Sequence, residues 1–109
     1  MRRFASLSRQ ADFTRLRRQG RRVSTKSLVI YRSDALPSDP SSLVGITVSK
    51  SIGKAVTRNK LRRRLAAILN DALAQHRAMR LLVVARPPAA IEPFAGLRDE
   101  ITSALRRGA

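Results

Sequence analysis

The sequence has 109 residues, with 23 Lys or Arg against 7 Asp or Glu, a formal net charge of +16 and no Cys. That length supports one domain, residues 1–109, with a single modest core. With 43% hydrophobic but only 4% aromatic residues, aliphatic side chains do most of the packing. The absence of Cys removes disulfides, thiolate nucleophiles and most zinc sites, and the single His76 cannot build a metal site or a triad; it reads as a solvated residue near a helix end. A chain this cationic repels itself unless it meets a polyanion, so nucleic acid is the first candidate partner. Only Lys26, Lys50, Lys54 and Lys60 are Lys. The planar Arg fork matches phosphate and stacks on bases, which suits RNA, although a GC-rich genome would also favour Arg. No apolar run reaches membrane-span length, and Met1-Arg2-Arg3-Phe4 lacks the apolar core of a signal peptide. The expected setting is the cytoplasm, without a membrane partner.

In chain order, Ser8 is the expected N-cap of a helix from about Arg9 to Gln19, with Asp12 in its first turn and Gly20 as its stop. Ala11, Phe13 and Leu16 form a thin apolar stripe; Arg15, Arg17 and Arg18, continued by Arg21 and Arg22, make a positive cluster. The stretch 27–32 reads as a strand, with Leu28 and Ile30 on one face and Val29 and Tyr31 on the other. Residues 34–42, D-A-L-P-S-D-P-S-S, read as a surface loop. A second strand spans 43–49; Val44, Ile46 and Val48 give it an apolar face, while Gly45, Thr47 and Ser49 leave the other small and polar, suited to the floor of a groove.

Ser51-Ile-Gly-Lys54 turns the chain into a long helix running to about Ala74, and this helix carries the densest charge, K-A-V-T-R-N-K-L-R-R-R over 54–64. With Leu61 at zero and 100° per residue, Leu65, Ile68 and Ala72 fall within roughly 40° on a face that must be buried. Asn59, Lys60 and Arg63 project at roughly 160°, 260° and 200°, flanked by Arg62 and Arg64 at roughly 100° and 300°, whereas Arg58 at roughly 60° falls on the core side. A solvated face is the alternative, but no acidic i,i+4 partners neutralise this run. Residues 80–86 contain the continuous apolar run of a central strand, ended by Pro87-Pro88. A last helix follows, with Pro93 at its start and Phe94, Leu97, Ile101 and Leu105 at helical spacing. The order α-β-β-α-β-α gives an α+β fold, a small mixed sheet packed with three helices in an α-β sandwich.

The seven acids, Asp12, Asp34, Asp39, Asp71, Glu92, Asp99 and Glu100, are scattered. No pair forms an evident acid/base couple or a two-metal cluster, and Ser51-Ile-Gly-Lys54 lacks the flanking residues of a phosphate loop. No catalytic apparatus is visible. The chemistry present is that of binding: a positive groove can follow a phosphate backbone, and aromatic faces can stack the bases of a single strand. Phe13 and Tyr31 are the candidates for stacking; packing in the first helix, for Phe13, and sheet filling, for Tyr31, are the alternatives.

The string V-G-I-T-V-S-K over 44–50, followed by I-G-K-A-V-T-R-N-K-L-R-R over 52–63, resembles the signature of the protein subunits of bacterial ribonuclease P. The likeness extends from Asp12-Phe13 through Gly20 and Tyr31 to V-V-A-R at 83–86. It implies a protein that binds a large catalytic RNA and grips the 5′ leader of precursor tRNA, while the RNA supplies the active site and holds the Mg²⁺. Carried over residue by residue, Lys54, Arg58, Asn59, Lys60, Arg62, Arg63 and Arg64 would meet the catalytic RNA. Phe13, Arg17, Tyr31, Lys50 and Arg86 would line the leader cleft between first helix and sheet. No metal site in the protein and no protein oligomer are required. The family's fold also implies a left-handed β-α-β crossover around the basic helix and a fourth short strand that this sequence does not display.

The sequence departs from the family at Arg17, where a second aromatic is frequent; guanidinium-base contact or charge is expected to replace stacking there. It departs again at Ser51, where a second Lys is common, and at Ala66, where a basic residue is expected; Arg64 supplies an extra charge two positions earlier. A small ribosomal protein would share the charge and size, and only the motif over 44–63 separates the two. A protein-only nuclease is opposed by the scattered acids.

Overall fold

A computed structural model describes residues 3–107; Met1 and Arg2 of the basic start lie outside the described residues. In chain order the elements are β1 (Ala5–Ser6), α1 (Gln10–Gln19), β2 (Arg21–Ser24), β3 (Leu28–Asp34), β4 (Leu43–Thr47), α2 (Ala55–Leu73), β5 (Met79–Ala85) and α3 (Phe94–Arg107), with short 3-10 turns at Lys50–Ile52 and Pro87–Ala90. The five strands form one mixed sheet in the order β1-β4-β5-β3-β2. β3 runs antiparallel to both β2 and β5. β4 lies parallel to β5 and is joined to it through α2, the crossover that parallel neighbours require.

Helices cover both faces of this sheet, so the central strand β5 is apolar on both sides. Met79, Leu81, Val83 and Ala85 join Leu28, Ile30, Val44 and Val48 in the main core with Leu61, Leu65, Ile68 and Leu69 of α2 and Leu97, Ile101 and Leu105 of α3. Full burial of a Leu or Ile of this kind contributes about 1.5–3 kcal/mol. On the opposite face α1 sets Leu16 against Leu7 and Leu82, with Phe13, Tyr31, Leu43 and Val84 packed around them. The alternation expected for β3 and β4 therefore holds: Leu28 and Ile30 face α2 and α3, whereas Tyr31 faces α1.

Several boundaries differ from the sequence reading. β1 and β2 add two short strands to the three expected. The N-cap of α1 is Arg9, not Ser8, and makes no side-chain capping bond. The Leu7 N–H is bonded to the Val44 carbonyl (2.9 Å) and its side chain is buried, which holds the chain extended one residue further. Of the thin stripe on α1 only Leu16 is buried; Phe13 is half-buried and Ala11 exposed. Phe94, expected in the core with Leu97, is 41% exposed. As the first residue of α3 it has no preceding helical turn to pack on, and it borders a groove toward Ile68 and Ala72 of α2.

The loop between β3 and β4 is more ordered than its composition implies. Asp39 accepts hydrogen bonds from the Ser41 hydroxyl (2.6 Å) and N–H (3.2 Å) and pairs with Arg80 (3.3 Å). Arg80 occupies a buried position of β5 on the α1 side of the sheet, and Asp39 supplies its counter-charge. At the other end of the sheet, Glu100 of α3 accepts from the Thr25 hydroxyl (2.6 Å) and the Ser27 N–H (2.8 Å), clamping the turn between β2 and β3.

Candidate nucleic-acid interface

The basic residues of α2 occupy its N-terminal half. Gly53, with φ of 149°, turns the chain out of the 3-10 segment in a conformation that L side chains rarely adopt. Lys54 then takes the N-cap position without a side-chain capping bond, and the first turn contains no acid. Helix amides with unsatisfied N–H groups therefore point the same way as a cluster of cations, an arrangement that favours an anion. Lys54, Asn59, Lys60, Arg62 and Arg63 are exposed, and Arg64 is half-buried. Arg62 donates from Nη1 to Asn59 Oδ1 (3.0 Å), so the amide orients the guanidinium along the helix surface. Arg58 lies toward the core side, as its angle predicts: it is half-buried and its Nε is buried without a hydrogen-bond partner. Among the described residues, no carboxylate lies within ion-pair distance of any of these cations.

Strand register defines the second face. Across the sheet, Arg22 stands beside Tyr31, Tyr31 beside Leu82, and Leu82 beside Gly45. The next row on that face is Ser24, Val29, Val84 and Thr47. Phe13 lies over Gly45, where an added Cβ would stand 2.8 Å from the ring Cε1. Phe13 and Tyr31 are both half-buried, so one part of each ring packs while another remains accessible. Arg17 is exposed and shares a shallow depression with Gln10, Phe13 and Thr14. Lys50 and Arg86 are exposed on the two 3-10-flanked turns at the Ala85 end of the sheet. Arg86 is partly committed to the fold, donating from Nη1 to the Thr25 carbonyl (3.2 Å).

The two sets of residues meet. A cleft of about 360 Å³ is lined on one side by Phe13, Gly45 and Thr47 and on the other by Arg62 and Arg63 of α2. Of the expected leader residues only Phe13 lines this cleft; Arg17 and Tyr31 lie outside it, and Lys50 and Arg86 stand farther along the sheet. Sequence reasoning placed Thr47 on the groove floor but missed Arg22 as a member of the sheet face beside Tyr31. Period-two alternation gave no signal for Arg22, because β2 is a short, polar edge strand.

The acids are largely absorbed in structural pairs. Asp12 faces Arg15 (3.9 Å), Asp39 faces Arg80 (3.3 Å), Glu92 faces Lys26 (3.0 Å) and Asp99 faces Arg98 (3.9 Å). The Ser41 hydroxyl bond, followed by the Ser41 N–H and then Arg80, holds the Asp39 carboxyl below its ordinary value. The hydrogen bond and charge of Glu92 raise Lys26 above its own. Among the described residues, no three His, Cys, Asp or Glu side chains gather as a metal-binding set, and no helix is long and apolar enough to cross a membrane.

A cationic helix edge meeting a partly aromatic sheet face across an open cleft defines an α+β protein of the polyanion-binding class. The family model of ribonuclease P matches residues 1–108. A ribonuclease P protein component from Acidothermus cellulolyticus is 39% identical over 102 residues, covering 93% of this chain and 85% of that protein. One from Thermobifida fusca is 36% identical over 107 residues, covering 92% and 73%. The solved structure of the Staphylococcus aureus RNase P protein superposes with a TM-score of 0.83 at 26% identity, covering 94% of this chain and 93% of that one. The chain belongs to the ribonuclease P protein family. Membership makes it a subunit of an endoribonuclease holoenzyme whose other partner is ribonuclease P RNA.

Proposed function

We propose that the chain binds the catalytic RNA of ribonuclease P through α2 and holds the 5′ leader of precursor tRNA on the α1 face of the sheet, while the RNA performs the hydrolysis. The observation that carries this reading is the cleft in which Arg62 and Arg63 of α2 face Phe13, Gly45 and Thr47. Two RNA-binding surfaces meet along one seam, so a single strand lying against Phe13 is delivered beside whatever RNA α2 holds.

In this reading Lys54, Arg58, Lys60, Arg62, Arg63 and Arg64 displace counterions from the catalytic RNA, and Asn59 sets the direction of Arg62. Phe13 and Tyr31 present ring surface to leader bases, Arg17 offers guanidinium contact, and Lys50 and Arg86 neutralise leader phosphates at the far end of the sheet. In this reading Mg²⁺ belongs with the RNA: five of the seven carboxylates are engaged in ion pairs or the Glu100 clamp, and the described residues gather no cluster to hold it. The protein's contribution is to neutralise phosphate crowding in the folded RNA and to bind substrate. No protein oligomer is needed for either, and the site of action is the cytoplasm.

The test is reconstitution with a bacterial ribonuclease P RNA and a leader-bearing precursor tRNA. The protein should lower the Mg²⁺ concentration needed for cleavage and favour the precursor over mature tRNA. Unimproved turnover at limiting Mg²⁺ refutes the proposal, as does cleavage by the protein free of RNA.

A further inference from the structure

The C-terminal ends of all three helices converge at the Met79 end of the sheet, remote from Lys50 and Arg86. Gln19 closes α1, residues 75–77 follow α2, and the Leu105 carbonyl in the last turn of α3 accepts from Arg32 Nη1 (2.6 Å). Between them lies a polar recess of about 810 Å³, lined by Gln19, Arg21, Arg32, Asp34, His76 and Arg77 among others. Helix C-termini carry about −0.5 charge each, so three of them with Asp34 place roughly −2.5 here. Against this stand Arg21, Arg32 and Arg77 in the recess, with Arg18 in the last turn of α1 and Arg106 and Arg107 in that of α3. Even with Arg21 set aside as engaged within the protein, the remaining five guanidinium groups exceed what three helix ends and one carboxylate need. The excess is available to an external anion.

This surface is separate from the basic half of α2. From 65 to 76 the chain contains no Lys or Arg, and on that stretch Ala67, Asp71 and Ala74 are exposed. Arg58 and Leu73 lie about 22 Å apart along the helix at 1.5 Å per residue. A cationic patch thus lies near each end of α2, the second one supplied by β2, β3 and the segment after the helix, with a cation-free stretch between. Such spacing suits a folded RNA that presents phosphates at two fixed points; a flexible single strand needs a continuous groove.

We propose that this recess is a second backbone-binding site for the catalytic RNA. Arg21, Arg32 and Arg77 act on phosphate, and Gln19 and His76 supply further hydrogen-bonding groups in its lining. The proposal rests on the reading that α2 meets that RNA.

The experiment measures affinity for ribonuclease P RNA as a function of salt for Arg21→Ala/Arg77→Ala. Removing two phosphate contacts should lower the slope of log K against log salt by about 1.4–1.8. Arg77→Ala alone alters an exposed residue outside any helix or strand and should give about half that change, which secures the test if the double variant folds poorly. Arg21→Lys/Arg77→Lys should keep most of the slope. Precursor-tRNA affinity of the preassembled holoenzyme should not change. A wild-type slope in the Ala variants, an equal loss in the Lys variant, or a loss confined to precursor tRNA overturns the proposal. Arg58→Ala/Arg62→Ala is the reference: if it weakens binding while the recess variants do not, the second site fails and the function stands. If neither weakens binding, both fail.

Discussion

Substituting Gly45 by Ala probes the contact between α1 and the sheet. The added Cβ would stand 2.8 Å from Phe13 Cε1, 3.2 Å from Cζ and 3.3 Å from Leu7 Cδ2. Carbon atoms at rest lie about 3.5–4.0 Å apart, so the ring edge must retreat by roughly 0.7–1.2 Å. It can do so because Phe13 is half-buried and one side of the ring is open, whereas Leu7 beneath it is buried. Overpacking of this kind costs about 1–3 kcal/mol, and each kcal/mol lowers the melting temperature of a domain near this size by roughly 4–8 °C. Gly45→Ala should therefore fold, melt several degrees lower, and lose affinity for leader-bearing precursor tRNA while binding mature tRNA and catalytic RNA as before. Calorimetry and fluorescence anisotropy with both tRNAs read these effects. Adding Phe13→Leu to Gly45→Ala should recover part of the stability without restoring leader affinity, a coupling expected only for residues in contact. Unchanged melting, or equal losses for precursor and mature tRNA, refutes the reasoning.

Phe13→Ala should reduce precursor-tRNA affinity by about 1–3 kcal/mol if the ring stacks a base, with mature tRNA unaffected; an equal loss for both ligands restricts Phe13 to packing. Asp39 provides a pH test. Its carboxyl is held below the ordinary 3.8, first by the Ser41 hydroxyl and with Arg80 as a lesser cause. Its stabilising contribution is thus fully present above the unfolded value and is lost as pH falls through the folded one. Asp39→Asn should melt below the wild type at neutral pH, and the gap should narrow as pH drops beneath 3.8; a gap independent of pH down to acid denaturation contradicts this assignment.

The sequence reading succeeded where the period was long. The buried stripe through Leu61, Leu65 and Ile68 and the apolar run of β5 emerged from spacing alone, and the exposed cations of α2 followed by geometry. It failed where structure is short or assembled from distant segments. β1 has two residues and β2 four, too few and too polar to display alternation. Phe94 fits the apolar spacing of α3 yet sits at the helix start, where periodicity does not say whether a neighbour exists. The cleft joining Phe13 to Arg62 and the recess joining Arg21, Arg32 and Arg77 bring together residues from three or more elements. No local pattern contains that information.

If Arg86 holds the leader as proposed, the Glu100 clamp ties the chain's last helix to that grip. Its carboxylate fixes Thr25 and Ser27, whose carbonyls in turn receive the Arg86 guanidinium and backbone N–H (3.2 and 2.8 Å). Arg86 is thereby aimed by α3 from across the sheet, as a rudder is set by a tiller the water never touches. On that reading, how far the leader is followed can be retuned by altering Glu100, Thr25 or Ser27 rather than Arg86 itself.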